Sequence, residues 1–109
     1  MNVRLYVLQR ATAAIMAPLV IGHLIVIFYA TSRGLSAGEI LGRTRGSIGW
    51  GLFYSIFVLA VAIHGAIGVR GILAEWTPLR SKGALDAVMW AFGLALAALG
   101  LRAVMAVVL

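Results

Sequence analysis

His23 and His64 are the only histidines of this 109-residue chain, and each stands inside an apolar run, in Ile21-Gly22-His23-Leu24 and in Ile63-His64-Gly65-Ala66. An ionisable side chain in such a run is costly to keep there and marks a functional position by default. Two kinds of chemistry suit a neutral imidazole in apolar surroundings. It can ligate a metal, above all as an axial ligand of haem iron, or it can hydrogen-bond to a neighbouring helix. A proton relay would call for carboxylates in the same runs, and the three acidic residues, Glu39, Glu75 and Asp86, fall at their ends or between them. There is no cysteine, so this chain contributes no thiolate, iron–sulfur or disulfide chemistry of its own. If the imidazoles bind iron, the second ring nitrogen needs an acceptor, and the carbonyl one helical turn earlier is at hand: Leu19 for His23 and Ala60 for His64. Gly22, Gly65 and Gly68 flank the two histidines and leave room either for a flat macrocycle or for close helix packing.

The elements that must position these rings are legible in composition. Sixty-three per cent of the residues are hydrophobic and 11% charged, against about 25% charged in an ordinary soluble domain. Three runs are long enough for the roughly 20 helical residues that cross a bilayer, at about 5–30, 48–76 and 84–108. The expected fold class is therefore an all-α membrane protein, a single domain of three transmembrane helices over 1–109. Thr31 to Ser47, rich in Gly, Ser and Arg, reads as a solvated loop, and Thr77-Pro78 opens the second connection. Arg10 and Pro18 lie within the first run, which is too long for a secretory signal and is retained as structure. Pro18 leaves the Ala14 carbonyl without its usual bond and is expected to kink the first helix. The net charge of +6 is dispersed between the runs instead of forming a stripe, so no nucleic-acid partner is expected and membrane lipid is the natural surrounding. Arg4, Arg10, Arg70, Arg80 and Lys82 on one side outnumber Arg33, Arg43 and Arg45 on the other, which favours a cytoplasmic N-terminus.

Depth separates the histidines. His23 lies 13 residues beyond Arg10, about 20 Å along a helix, and His64 lies 12 residues before Trp76, about 18 Å from the inner end of the second span. One group clamped between both rings would need them level, so two sites at different depths are expected. Arg70, six residues after His64, is placed either to meet a haem propionate or to snorkel to the interface. Arg102, deep in the third run, has the same two readings on the opposite side.

These segments resemble the transmembrane cytochrome b anchor subunits of the succinate dehydrogenase and fumarate reductase family. Gln9-Arg10-Ala11-Thr12-Ala13-Ala14 followed by Ile21-Gly22-His23 is similar to the opening helix of the dihaem members. His64-Gly65-Ala66-Ile67-Gly68-Val69-Arg70, closing at Glu75-Trp76, resembles a haem-ligand helix, and its pattern is also similar to that of single-haem members. Ala13 stands where the opening helix often has Gly, and Tyr6 stands where single-haem members carry Ser. The resemblance implies a bundle completed by a second anchor subunit or a second copy of this chain, with iron–sulfur and flavoprotein subunits beyond. It implies two b haems shared with that partner, His64 ligating the one nearer the iron–sulfur subunit and His23 the other. It also implies quinone as substrate and a bacterial inner membrane as location. Tyr6, Arg10, Thr12 and Trp76, near the expected cytoplasmic interface, are the quinone candidates. Aromatic and basic residues also gather at such an interface as anchors, the favoured reading for Tyr6 and Trp76. The competing reading is a haem-free structural anchor or small transport component. An enzyme acting alone is disfavoured, since the chain has no nucleophile–base pair or metal cluster.

Overall fold

The computed structural model describes residues 2–109 and contains four helices: α1 (Val3–Arg33), α2 (Ala37–Thr44), α3 (Ile48–Trp76) and α4 (Lys82–Val108). Three of them, α1, α3 and α4, are long and apolar enough to cross a membrane, as the composition predicts. Each helix starts on a side chain able to take one of its unpaired first-turn N–H groups. Asn2 accepts from Leu5 N, Ser36 from Glu39 N, Ser47 from Trp50 N and Ser81 from Ala84 N. α1 runs without a break through Pro18.

The segment read from sequence as a solvated loop holds a helix instead. Ser36 and Glu39 start α2, and Ile40, Leu41 and Thr44 lie on its less exposed side. The reason it folds lies on another element. The last carbonyls of a helix have no partner within it and, close to hydrocarbon, must find one. Thr44 Oγ1 donates to Val107 O at 2.6 Å and Gly46 N to Val108 O at 2.8 Å, so the connection closes the end of α4.

α3 is the middle element, with α1 on one side and α4 on the other, both antiparallel to it. Small residues set the α3–α4 approach, as expected where lipid removes the hydrophobic drive between helices and close packing must do the work. A Cβ on Gly93 would come 3.0 Å from Ala66 Cβ, and one on Gly100 would collide with the Val58 side chain. Against α1, a Cβ on Gly22 would meet the Phe53 ring at 3.3 Å, and one on Gly68 would sit 3.6 Å from Gln9 Nε2. The buried apolar residues are mostly alanine: Ala30, Ala60, Ala62 and Ala66, with Ile67, Leu85 and Val104. The large side chains face outward, Phe28 at 72% and Trp90 at 62% exposure among them. In water that surface would drive aggregation; in a bilayer it is a lipid-facing wall.

Gly100→Ala is expected to destabilise the bundle by about 1–3 kcal/mol through overpacking against Val58. Val58→Ala in the same chain should recover part of the loss, as read by thermal unfolding in detergent.

Candidate functional site

His64 projects from the middle of α3 towards α1. Its Nδ1 lies 3.3 Å from the Gln9 carbonyl oxygen and 3.3 Å from Thr12 Oγ1. The partners decide the tautomer. The Gln9 carbonyl can only accept, and the single Thr12 hydroxyl proton is directed at backbone carbonyls, 2.7 Å to Leu8 O and 3.1 Å to Gln9 O. Nδ1 must therefore carry the hydrogen and share it between the two oxygens, which leaves the lone pair of the neutral ring on Nε2. Nε2 has no partner among the described residues and is not one of their buried unpaired atoms, so it reaches the surface. Sequence reasoning placed the acceptor on the same helix, at Ala60; the structure places it across the helix interface, on α1.

Thr12 is buried at 5% exposure and serves as the wedge of this arrangement. Beside it Gln9 Oε1 is buried with no hydrogen-bond partner, next to the open backbone of Gly68. An orphan amide oxygen on the residue whose backbone carbonyl faces the His64 ring marks a place where a further polar group belongs.

His23 sits differently. It has no hydrogen bond to Leu19 or to any other described residue, and its ring packs edge-on against Phe57 at 5.2 Å and Tyr54 at 6.3 Å between centroids. It borders an open, almost wholly apolar cleft of about 600 Å³ walled by α3 and α4 and closed above by Ile40 and Thr44 of α2. That volume falls in the range of about 300–1,000 Å³ usual for cofactor and ligand sites. His64 is level with Thr12 and His23 with Phe57, so the rings are separated along the bundle by about 17 Å counted on α1 and about 10 Å counted on α3. The described residues contain no group of three His, Cys, Asp or Glu that could hold an ion. Iron held by either histidine would have to bring its remaining ligands with it, as it does in a porphyrin.

The sequence model for the succinate dehydrogenase/fumarate reductase transmembrane subunit matches residues 1–101. The chain belongs to that family. Neither a curated protein nor a solved structure matches it. As a transmembrane subunit of this family the chain is an integral membrane protein, and its remaining candidate residues divide by place. Arg70 turns away from His64, about 120° round α3, and its Nε donates to Asp86 Oδ1 of α4 at 2.8 Å. Arg102 is exposed and lies on the far side of α4 from the stripe of Leu96, Gly100 and Val104 that lines the cleft at His23. Tyr6 and Arg10 are exposed one turn apart on α1, and Trp76 is exposed at the end of α3. Thr12 is not brought to them, because its hydroxyl is committed to His64 and the α1 backbone.

Four further residues join the site from the structure alone: Gln9, Tyr54, Phe57 and Asp86. Gln9 and Thr12 are three apart and share a helix face, a signal that was present in the sequence, but nothing in it shows that this face meets His64. Asp86 read as a loop-end acid because its partner is 16 residues away on another helix.

Removing the carboxylate in Asp86→Ala leaves Arg70, whose side chain is 12% exposed, without its partner and is expected to cost about 1–3 kcal/mol. Pairing that change with Arg70→Met should return most of the loss in the same detergent unfolding measurement.

Proposed function

We propose that the chain is the membrane anchor and electron-transfer subunit of a succinate:quinone or quinol:fumarate oxidoreductase, with His64 and His23 each supplying one axial ligand to a b haem. The observation that carries this reading is the setting of His64: Nδ1 lies 3.3 Å from both the Gln9 carbonyl and the Thr12 hydroxyl, and Nε2 has no partner among the described residues. That is the arrangement in which a metal-bound imidazole is normally held, its second N–H given to a carbonyl that sets orientation and raises basicity. When bound, each haem would supply a one-electron redox centre between the iron–sulfur subunit and quinone.

The chain's own residues do the holding. Thr12 and the Gln9 carbonyl orient the His64 ring, and Gly68 keeps the adjoining backbone low. Phe57 and Tyr54 brace His23 at the edge of its cleft and shield it from water. Arg70, turned from His64 with Nε fixed on Asp86, holds α3 to α4 at this level and would meet a propionate of the inner haem only through its two terminal nitrogens. Arg102 is assigned to the lipid interface on the opposite side, where its exposure suits snorkelling. Tyr6 and Arg10, exposed one turn apart, offer donors to quinone carbonyls, with Trp76 at the same membrane boundary. Each histidine would supply one ligand to haem iron, and the remaining protein ligand of each haem would come from a second anchor chain, distinct or identical. The basic residues favour a cytoplasmic N-terminus in a bacterial inner membrane, which puts the His64 site on the side of the iron–sulfur and flavoprotein subunits.

A haem-free anchor is the rival reading, because the bond from His64 to Gln9 also pins α3 to α1. Spectra of the purified complex separate the two. A reduced b-type band that is lost in part with His64→Ala and in part with His23→Ala, at a haem-to-flavin ratio of about two, supports ligation by both. A ratio near one that His23→Ala leaves unchanged removes the outer haem, and an unchanged spectrum in His64→Ala removes the ligand assignment altogether. Thr12→Val should retain haem while raising the midpoint potential of one centre, since a less strongly hydrogen-bonded imidazole donates less to ferric iron.

A further inference from the structure

At the membrane boundary opposite the N-terminus, two arginines from different helices converge on one aromatic ring. The guanidinium carbon of Arg33, at the end of α1, lies 5.6 Å from the Tyr29 ring centroid, and that of Arg43, on α2, lies 5.2 Å from it. The approach is built by the backbone. Gly34 caps α1 at φ 121°, a conformation other residues rarely adopt, and the chain reverses there so that α2 carries Arg43 back over α1. Arg43 is further steadied by Nη1 donating to the Glu39 carbonyl at 3.2 Å.

Gathering two like charges costs free energy unless an anion joins them. Among the described residues neither guanidinium pairs with a carboxylate, and the only ion pair is that of Arg70 with Asp86. The ring neutralises little: a cation–π contact at an exposed site is weak and brings no opposite charge. An anion that joined them would come from outside the chain, and the surroundings suit one chemistry. Ile21, Ile25, Tyr29 and Arg33 follow one another at four-residue spacing and so form one stripe along α1. Ile21 and Ile25 are 60% and 62% exposed, which gives an apolar rail running from the cations into the hydrocarbon layer. An anionic head with an acyl tail fits both halves.

We propose that Arg33 and Arg43, stacked on Tyr29, bind the phosphate of one anionic phospholipid whose acyl chain lies along Ile21 and Ile25. Basic pockets at membrane boundaries take such headgroups, each arginine contributing about 1 kcal/mol, a factor of roughly five in affinity. The site is independent of what the two histidines hold.

The test uses the full chain in detergent with any subunits that co-purify, titrated with phosphatidylglycerol and, separately, phosphatidylcholine, with bound lipids counted by native mass spectrometry. Phosphatidylglycerol should be retained in preference. That preference should fall roughly fivefold in Arg33→Gln and again in Arg43→Gln, stay in Tyr29→Phe, and be unaffected by Arg102→Gln, an exposed arginine with no ring beneath it. An equal fall in Arg102→Gln would reduce the effect to general positive charge and overturn the site. Displacement of the lipid by inorganic phosphate would make it a small-anion site. An unchanged lipid count in the Arg33→Gln/Arg43→Gln variant, with loss of a co-purifying subunit, would assign the arginines to a protein interface instead.

Discussion

One proton holds the centre of this subunit together. The Nδ1 hydrogen of His64 is shared by the Gln9 carbonyl and the Thr12 hydroxyl, and through it α3 is locked to α1 at a defined height and rotation. An imidazole N–H left unpaired in an apolar bundle would cost several kcal/mol. The same bond decides which nitrogen keeps the lone pair, so the helix packing and the chemistry of the ring are settled by one contact. A Thr12 hydroxyl spent on its own helix backbone is what makes it an acceptor for the ring.

Around that pin the bundle is assembled by removing bulk. Ala62 and Ala66 on α3 face Gly93 on α4, and Gly100 lets Val58 seat against the helix backbone. The large apolar side chains that would fill the core of a soluble protein are turned outward, where the bilayer can take them. With few side chains interdigitating, backbone satisfaction carries more of the specificity, which is why α2 exists. Its Thr44 and the following Gly46 take up the last carbonyls of α4 and in doing so roof the cleft beside His23.

Charge is handled differently at the two boundaries. Near the N-terminal side Arg70 and Asp86 join α3 to α4 through one short bond, leaving the rest of the guanidinium available. On the opposite side Arg33 and Arg43 are brought together without an acid and stacked on Tyr29. The first arrangement is closed mostly within the chain. The second is complete only with a partner from the membrane.

The sequence by itself determined the class of the molecule: three apolar runs, their breaks near Thr31–Ser47 and Thr77–Pro78, and two histidines at different levels follow from length and hydropathy, because the bilayer imposes both. The two histidines and their neighbourhoods were likewise sufficient to suggest the family. Tertiary structure alone decided whom each ring meets. The spacing rules of a helix predict contacts within four residues, so they sent Nδ1 of His64 to Ala60, whereas the acceptor lies 55 residues earlier at Gln9. They could not pair Arg70 with Asp86, nor show α2 as anything but a polar loop, since its reason for folding is the open end of a helix more than sixty residues further along. Periodicity records which face of a helix is apolar; which neighbour that face receives is fixed only when the helices pack.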